Sequence, residues 1–360
     1  MKKLIVIVVF LLSPAYTFAL PAFPGAEGWG KDTVGGRSVS AKLYKVNTLS
    51  DSNSGSGGSG SCSGNICAGD FRYALQASGY RFIIFTVAGT IALQDDIWVG
   101  NGNVTVAGQA SPGTGIQIRN GGIKFEDTNQ VIVRGLKIRP GDSPGGPIAD
   151  GGRDGMTNTG SNYVIFDHNT MNFSCDTGIG SWYSVNHVTF SYNLLAYALN
   201  NDCSDYDAQL MLIGGPDPSG PYVEQFSVHH NLYAHSNVRA PGVGSGTHME
   251  ALNNVIYNIN SSDWASWTSS KGAWIGNYWK NGPLNPSGFL GLVIKENIDG
   301  WDLLNPASPD VHISHSICPD RPTDSGPETN CLNGATQYYT STNQLTMSGM
   351  TSSIILAVSV

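Results

Sequence analysis

Asp167-His168-Asn169-Thr170-Met171, Ser191-Tyr192-Asn193-Leu194-Leu195 and His229-His230-Asn231-Leu232-Tyr233 each set an asparagine before a short apolar run. The pattern continues in Asn253-Asn254-Val255-Ile256, Ile275-Gly276-Asn277-Tyr278-Trp279 and Glu296-Asn297-Ile298. Asn169, Asn193, Asn231, Asn254, Asn277 and Asn297 follow one another at 24, 38, 23, 23 and 20 residues. One strand and one polar turn per unit of about 20–25 residues is the period of a stacked solenoid, because such a unit cannot bury its own apolar face and must lie on a neighbour. The 38-residue interval marks a rung that carries an insertion, between Asn200 and Val223. Asparagines stacked at one corner satisfy each other's amides along the axis, so these side chains are expected to be structural.

Short β-rich runs extend the pattern outward: Phe82 to Val87, Asn103 to Ala107, Ile116 to Ile118, Val131 to Ile138, Tyr163 to Phe166, His187 to Phe190, Phe226 to Val228, His248 to Leu252 and Leu292 to Ile294. The expected fold class is therefore all-β, a right-handed parallel β-helix, with a short capping helix over Asp70 to Ala77 whose Phe71, Ala74 and Leu75 share a face. Open solenoid ends expose unpaired backbone and call for such a cap. Residues 51–64, rich in Ser and Gly, are expected to form a flexible surface loop. Residues 20–300 are assigned to the β-helix and 301–360 to an extension that packs on or caps it, while the apolar finish Ile354 to Val358 has no assigned place.

Composition agrees with a turn-rich solenoid: 45 glycines and only 13% charged residues. A formal net charge of -8 excludes a phosphate-binding, nucleic-acid role, whereas an anionic polymer would need a local cluster of cations or a bound metal. Residues 1–19 combine Lys2 and Lys3, an apolar run from Leu4 to Leu12 and Thr17-Phe18-Ala19, the layout of a secretory signal peptide. That run is shorter than the roughly 20 residues of a membrane span. The chain is thus expected to be secreted, extracellular or periplasmic, with no membrane partner and acting as a monomer. Six cysteines in an exported chain suggest three disulfides out of fifteen possible pairings. Local closure favours Cys62 with Cys67 and Cys318 with Cys331, leaving Cys175 with Cys203.

Several segments in order resemble the pectate lyase family. They are Ala22-Phe23-Pro24-Gly25-Ala26-Glu27-Gly28-Trp29-Gly30-Lys31 with Gly35-Gly36-Arg37, then Val87-Ala88-Gly89-Thr90-Ile91, Asn103 to Gln109, and Val131 to Asp142. Asp154, Val164-Ile165-Phe166-Asp167-His168, Asp176, His229 to His235 and Arg239-Ala240-Pro241 complete the match, which runs from about Phe23 to about Asn258. The resemblance implies β-elimination of α-1,4-polygalacturonate or pectin with calcium (Ca2+) as cofactor. It implies metal ligation by Asp154 and Asp176, placed on neighbouring rungs about 4.8 Å apart, and a proton-accepting or charge-stabilising role for Arg239 beside C5. Oxygen donors on a hard divalent cation suit the task, since the C5 proton becomes acidic once the adjacent carboxylate is neutralised.

Departures accompany the match. Gly180 stands where many relatives carry a further carboxylate, Gly242 where a second arginine often follows the proline, and residues 181–230 contain no lysine. Arg153, Lys271 and Lys280 are candidate substrate contacts; Asp142, Asp150, Asp202 and Lys295 lie where they could join them. His168, His229 and His230 are expected to be packed, hydrogen-bonded turn residues, and Arg134 a structural partner. A hydrolase on the same scaffold would need paired acid and base carboxylates, and no Asp-Asp pair follows Asp154. The alternative from another class is a non-catalytic or degenerate polysaccharide-binding β-helix.

Overall fold

The computed structural model describes residues 20–53, 57–141, 153–199, 209–214, 223–244, 246–260, 263–265, 271–288, 290–294, 310–334, 336, 339–341 and 347–349. The signal-peptide, Asp142, Asp150, Asp202, Cys203, Lys295 and Asn297 assignments, and the apolar finish, therefore fall outside the described residues.

Each rung contributes one strand to each of three sheets. Asn129–Arg134 lies in the first sheet, Lys137–Arg139 in the second and Met156–Thr159 in the third, and Asn162–Asp167 returns to the first beside Asn129–Arg134. Among the described residues the three sheets hold 12, 8 and 6 strands, and all their pairings are parallel apart from one N-terminal hairpin. This is the parallel β-helix expected from the repeat. Alternate residues point inward and stack on their equivalents, so the core is a set of columns: Val133, Phe166, Phe190 and Val228 in the first sheet, Ile123, Met156, Ile179 and Met211 in the third. Phe166 and Phe190 stack with centroids 4.8 Å apart and planes 3° from parallel, burying large apolar surface that no single rung could hide.

The asparagine ladder forms at the corner between the first and second sheets. Asn169, Asn193 and Asn231 each donate Nδ2 to the next asparagine's Oδ1, at 3.2, 3.1 and 3.0 Å, and Asn254 donates to Asn277 at 3.0 Å. The backbone N–H of each also donates to the same oxygen. The next place in the ladder belongs to Ser316, whose Oγ accepts from Asn277 N at 3.3 Å, and not to Asn297 as the repeat suggested. The reason is an insertion: the strand after Lys271–Ile275 in the first sheet is Asp310–Ser314. The expected division at residue 300 falls in the undescribed stretch 295–309, beyond which Asp310–Ser314 adds a further strand to that sheet.

The residue before each ladder asparagine has left-handed backbone: His168 (φ 55°), Tyr192 (φ 53°), His230 (φ 55°) and Asn253 (φ 53°). Bulky side chains rarely sit there. Here they stack outside the corner, with His168 to Tyr192 at 4.9 Å and Tyr192 to His230 at 4.7 Å, and this stacking offsets the backbone cost.

The capping helix spans Phe71–Gln76, starting with Asp70, whose Oδ1 accepts from Tyr73 N at 2.8 Å. Phe71, Ala74 and Leu75 are buried as expected. Arg81, fully buried, closes its other end by donating to Ala74 O and Leu75 O, and also to Asn101 O and Gly102 O. The Ser- and Gly-rich run is only partly a loop. Gly60–Ser63 is a strand antiparallel to Ile66–Gly69, because the Cys62–Cys67 disulfide joins directly opposed residues. Cys318–Cys331 also forms.

Residues 22–37 form a strap laid along the outer face of the first sheet. Gly36, Gly30 and Trp29 donate backbone N–H to Thr105, Thr189 and Ser227 hydroxyls at 2.9, 2.8 and 2.9 Å. Thr105, Ile132, Ile165, Thr189 and Ser227 are one register column, so the strap runs along the helix axis. A Cβ at Gly28 would come within 2.6 Å of Thr189 Oγ1, and one at Gly30 within 2.9 Å of Val164 O. These glycines let the strap lie flush. Arg134 is a structural partner as expected: Nε donates to Asp167 Oδ2 at 2.7 Å and its guanidinium lies 3.6 Å over Phe23 of the strap.

Candidate functional site

Successive strands of the third sheet bring one polar or charged residue each to the same side of the helix. Lys124 lies within Ile123–Glu126, Asp154 two residues before Met156–Thr159, and Asp176 one residue before Thr177–Trp182. Gln209 opens Gln209–Ile213, and Arg239 stands before Gly242–Val243. Inward-facing Ile123, Met156, Ile179 and Met211 fix this register, so the apolar core of the rungs positions the polar residues at their edge.

Asp154 is held at both oxygens. Thr177 N donates to Oδ1 at 3.0 Å, and Lys124 Nζ donates to Oδ2 at 2.9 Å while lying 3.8 Å from Asp96 Oδ2. Asp176 has a weaker set of partners: Thr177 Oγ1 donates to its Oδ1 at 3.3 Å. Burial pushes its carboxyl up to about 6, and the Asp154 charge adds to the rise against the opposing pull of Arg239, the Thr177 hydroxyl and Lys124. Two acids and two bases thus act on one another within a few rungs, and the pair of carboxylates is the stressed element.

Arg239 has left-handed backbone at φ 61°, rare for a long side chain, and its carbonyl accepts from Met211 N at 2.8 Å. Its Nη1 donates to Gln209 Oε1, and Thr177 Oγ1 donates to the same oxygen at 3.3 Å. The two departures from the family pattern acquire a physical reading here. A Cβ on Gly242 would stand 2.8 Å from Arg239 Cγ, so the missing side chain is the space in which Arg239 lies. A Cβ on Gly180 would stand 2.8 Å from Trp182 Nε1, so an indole covers the place where a further carboxylate would project.

Of the residues named from sequence, Asp154, Asp176 and Arg239 come together. Arg153 immediately precedes Asp154 and is 5% exposed. Lys271 opens a first-sheet strand and Lys280 closes a second-sheet strand, Tyr278–Lys280, so neither lies on the sheet that carries the carboxylates. Lys124 was missed. Its signal is positional: it occupies an outward place in Ile123–Glu126, opposite Thr157 and thus in the Gly180 column.

Asp154 and Asp176 offer the hard oxygen donors a calcium ion takes, and Gln209 Oε1 lies nearby in the Thr177 network, but calcium fills six to eight positions. The carboxylate pair fits calcium in kind, with the balance left to water and ligand oxygens. The raised carboxyl of Asp176 supports this fit, because two partly buried like charges are relieved by a bound cation.

No protein-family model matches the chain. It is 32% identical over 269 residues to a probable pectate lyase C of Aspergillus terreus, covering 74% of this chain and 55% of that protein. It is 34% identical over 244 residues to a probable pectate lyase C of Aspergillus oryzae, covering 68% and 49%. The chain spans about half the length of the curated relatives it matches. In fold it is similar to the cedar-pollen allergen jun a 1, with a TM-score of 0.57 at 17% identity over 81% of this chain and 80% of that one. It is also similar to a pectate lyase bound to a hexasaccharide, with a TM-score of 0.56 at 14% identity over 93% and 94%.

Proposed function

Taking the chain as a member of the pectate lyase family over its matched three quarters, we propose that it is an exported lyase cleaving α-1,4-polygalacturonate by calcium-assisted β-elimination. The observation that carries this reading is the Asp154–Asp176 carboxylate pair acting on Arg239 and Lys124 at one edge of the third sheet. Two formed disulfides suit an oxidising compartment. Among the described residues no helix is long and apolar enough to cross a membrane.

In the reaction the C5 proton leaves, the C5 electron pair forms the C4–C5 double bond, and the C4–O bond breaks to release an alkoxide that takes up a proton. Calcium held by Asp154 and Asp176 would neutralise the substrate carboxylate and so acidify C5. Arg239, held by Gln209, would balance the negative charge that develops at that carbon as the proton departs. As proton acceptor it must be neutral, and an ionised Asp176 opposes this; once Asp154 and Asp176 are engaged on a cation, that opposition falls. Lys124, 2.9 Å from Asp154, completes an ion pair at the carboxylate end of the site. Of the other cations named from sequence, Arg153 lies beside Asp154, whereas Lys271 and Lys280 stand on other sheets and are left out of this reading.

The test is ultraviolet absorbance of polygalacturonate incubated with the protein, with calcium or with a chelator, beside Arg239→Ala. A rise in unsaturated uronate that needs both calcium and Arg239 is expected. Absence of a rise on this substrate and on methylated pectin would leave a binding β-helix.

A further inference from the structure

Away from the third sheet, the strap's far end brings Glu27 to the corner that holds His229 and His230. One ligand atom from each of the three side chains lies within 4.8 Å of the others. His229 Nδ1 and His230 Nδ1 approach to 2.9 Å, and only one of these nitrogens carries a proton when both rings are neutral. His229 is 1% exposed, and the Glu27 backbone of the strap reaches its ring. An imidazole pair alone explains the short nitrogen contact. It does not explain why a carboxylate from a residue some 200 positions away is brought against it.

We propose that Glu27, His229 and His230 form a second metal site, specific for a borderline divalent cation of the zinc class, which fastens the strap to the first sheet. Two nitrogens and one carboxylate oxygen are a donor set for zinc, with water in the fourth position. Calcium, which takes oxygen ligands, is disfavoured by the two imidazoles. Ligands on a tetrahedral zinc stand about 3.3 Å apart, so the histidine nitrogens are nearly in place and the farthest pair closes by about 1.5 Å at most. The surroundings support the placement. Tyr192 stacks on His230 at 4.7 Å, and Trp29 of the strap is tied to Ser227, on the strand that ends in His229. A bond from Glu27 to that corner closes a loop through most of the helix.

The experiment uses the whole mature protein, stripped of metal with a chelator and dialysed. Zinc chloride and calcium chloride are titrated separately by calorimetry, and thermal unfolding is followed in each. One zinc per chain is expected, with a rise in Tm that calcium does not reproduce. Glu27→Gln and His230→Asn are expected to weaken zinc binding at least tenfold; asparagine tolerates the left-handed backbone at 230, so that variant folds. Asp176→Asn is expected to leave zinc binding unchanged. Zinc binding that is absent, that survives both strap-site variants, or that disappears in Asp176→Asn overturns the proposal. Because the readouts are binding and unfolding, the result is separate from the lyase reading.

Discussion

Replacing Asp176 by Asn tests whether the carboxylate pair is held under electrostatic stress. In the folded chain this carboxyl is raised from an ordinary 3.8 to about 6, by burial first and by the Asp154 charge second. An acid whose folded value is raised binds more protons folded than unfolded between those two values. Its effect on stability therefore worsens as pH climbs from 3.8 and is fully unfavourable above 6. A displacement of that size corresponds to about 2–3 kcal/mol after allowance for partial solvent screening. The wild-type pH curve alone would not show it, because His229 slopes the other way: its lowered value means stability is lost as pH falls from 6.5 toward about 4. Comparing the variant with wild type cancels the histidine. In chelator at pH 8, Asp176→Asn is expected to unfold roughly 3–6 °C higher than wild type. That advantage should shrink toward zero near pH 4, and millimolar calcium should stabilise wild type but not the variant. A variant no more stable than wild type at pH 8, or an advantage that persists at pH 4, would refute the reasoning.

Arg239→Lys keeps a positive charge but loses the planar fork on Gln209, and turnover on polygalacturonate is expected to fall by about 100-fold or more with far-ultraviolet circular dichroism unchanged. Gly242→Ala sets a methyl against Arg239 Cγ, so kcat should drop about tenfold while Tm barely moves. Lys124→Met frees Asp154 Oδ2 from its ammonium; calcium binding measured by calorimetry should tighten by about tenfold, since a competing cation is gone. Asn231→Ala removes two donated and two accepted ladder bonds among buried groups, and urea unfolding should show a loss of about 3–5 kcal/mol.

The fold was legible because a solenoid writes its geometry into the sequence at a fixed interval. Asn169 to Asn277 were found as an asparagine before a short apolar run recurring at rung spacing, and the structure makes each one both donor and acceptor in a buried ladder. The capping helix followed from the shared face of Phe71, Ala74 and Leu75. Failures came where a local rule was overridden from elsewhere. Composition marked residues 51–64 as flexible, yet a disulfide between opposed residues makes a hairpin of part of them. Tyr192, His168 and His230 carry side chains that propensity keeps out of left-handed corners, because stacking on the neighbouring rung decides the matter. An insertion moved the ladder's last place from Asn297 to Ser316, which no count of asparagines reveals.

The candidate site follows the same logic one level up. Lys124, Asp154, Asp176, Gln209 and Arg239 come from successive rungs, so along the axis the third sheet presents positive, negative, negative, neutral and positive groups at steps of about 4.8 Å. Asp154 and Asp176 were readable because the segments around them resemble the pectate lyase family, not because of the repeat length. Lys124 was not, since the rung that follows it includes residues 142–152, and its distance in sequence from Asp154 no longer reports the register. The arrangement explains why Gly180 and Gly242 do not by themselves argue for lost activity. Each sits in the column of Lys124, and the room each leaves is taken by a neighbour, Trp182 in one case and Arg239 in the other. A carboxylate restored at Gly180 alone would collide with the Trp182 indole before it reached a cation beside Asp154, so charge at this site is set by which rung supplies it as much as by how many acids are present.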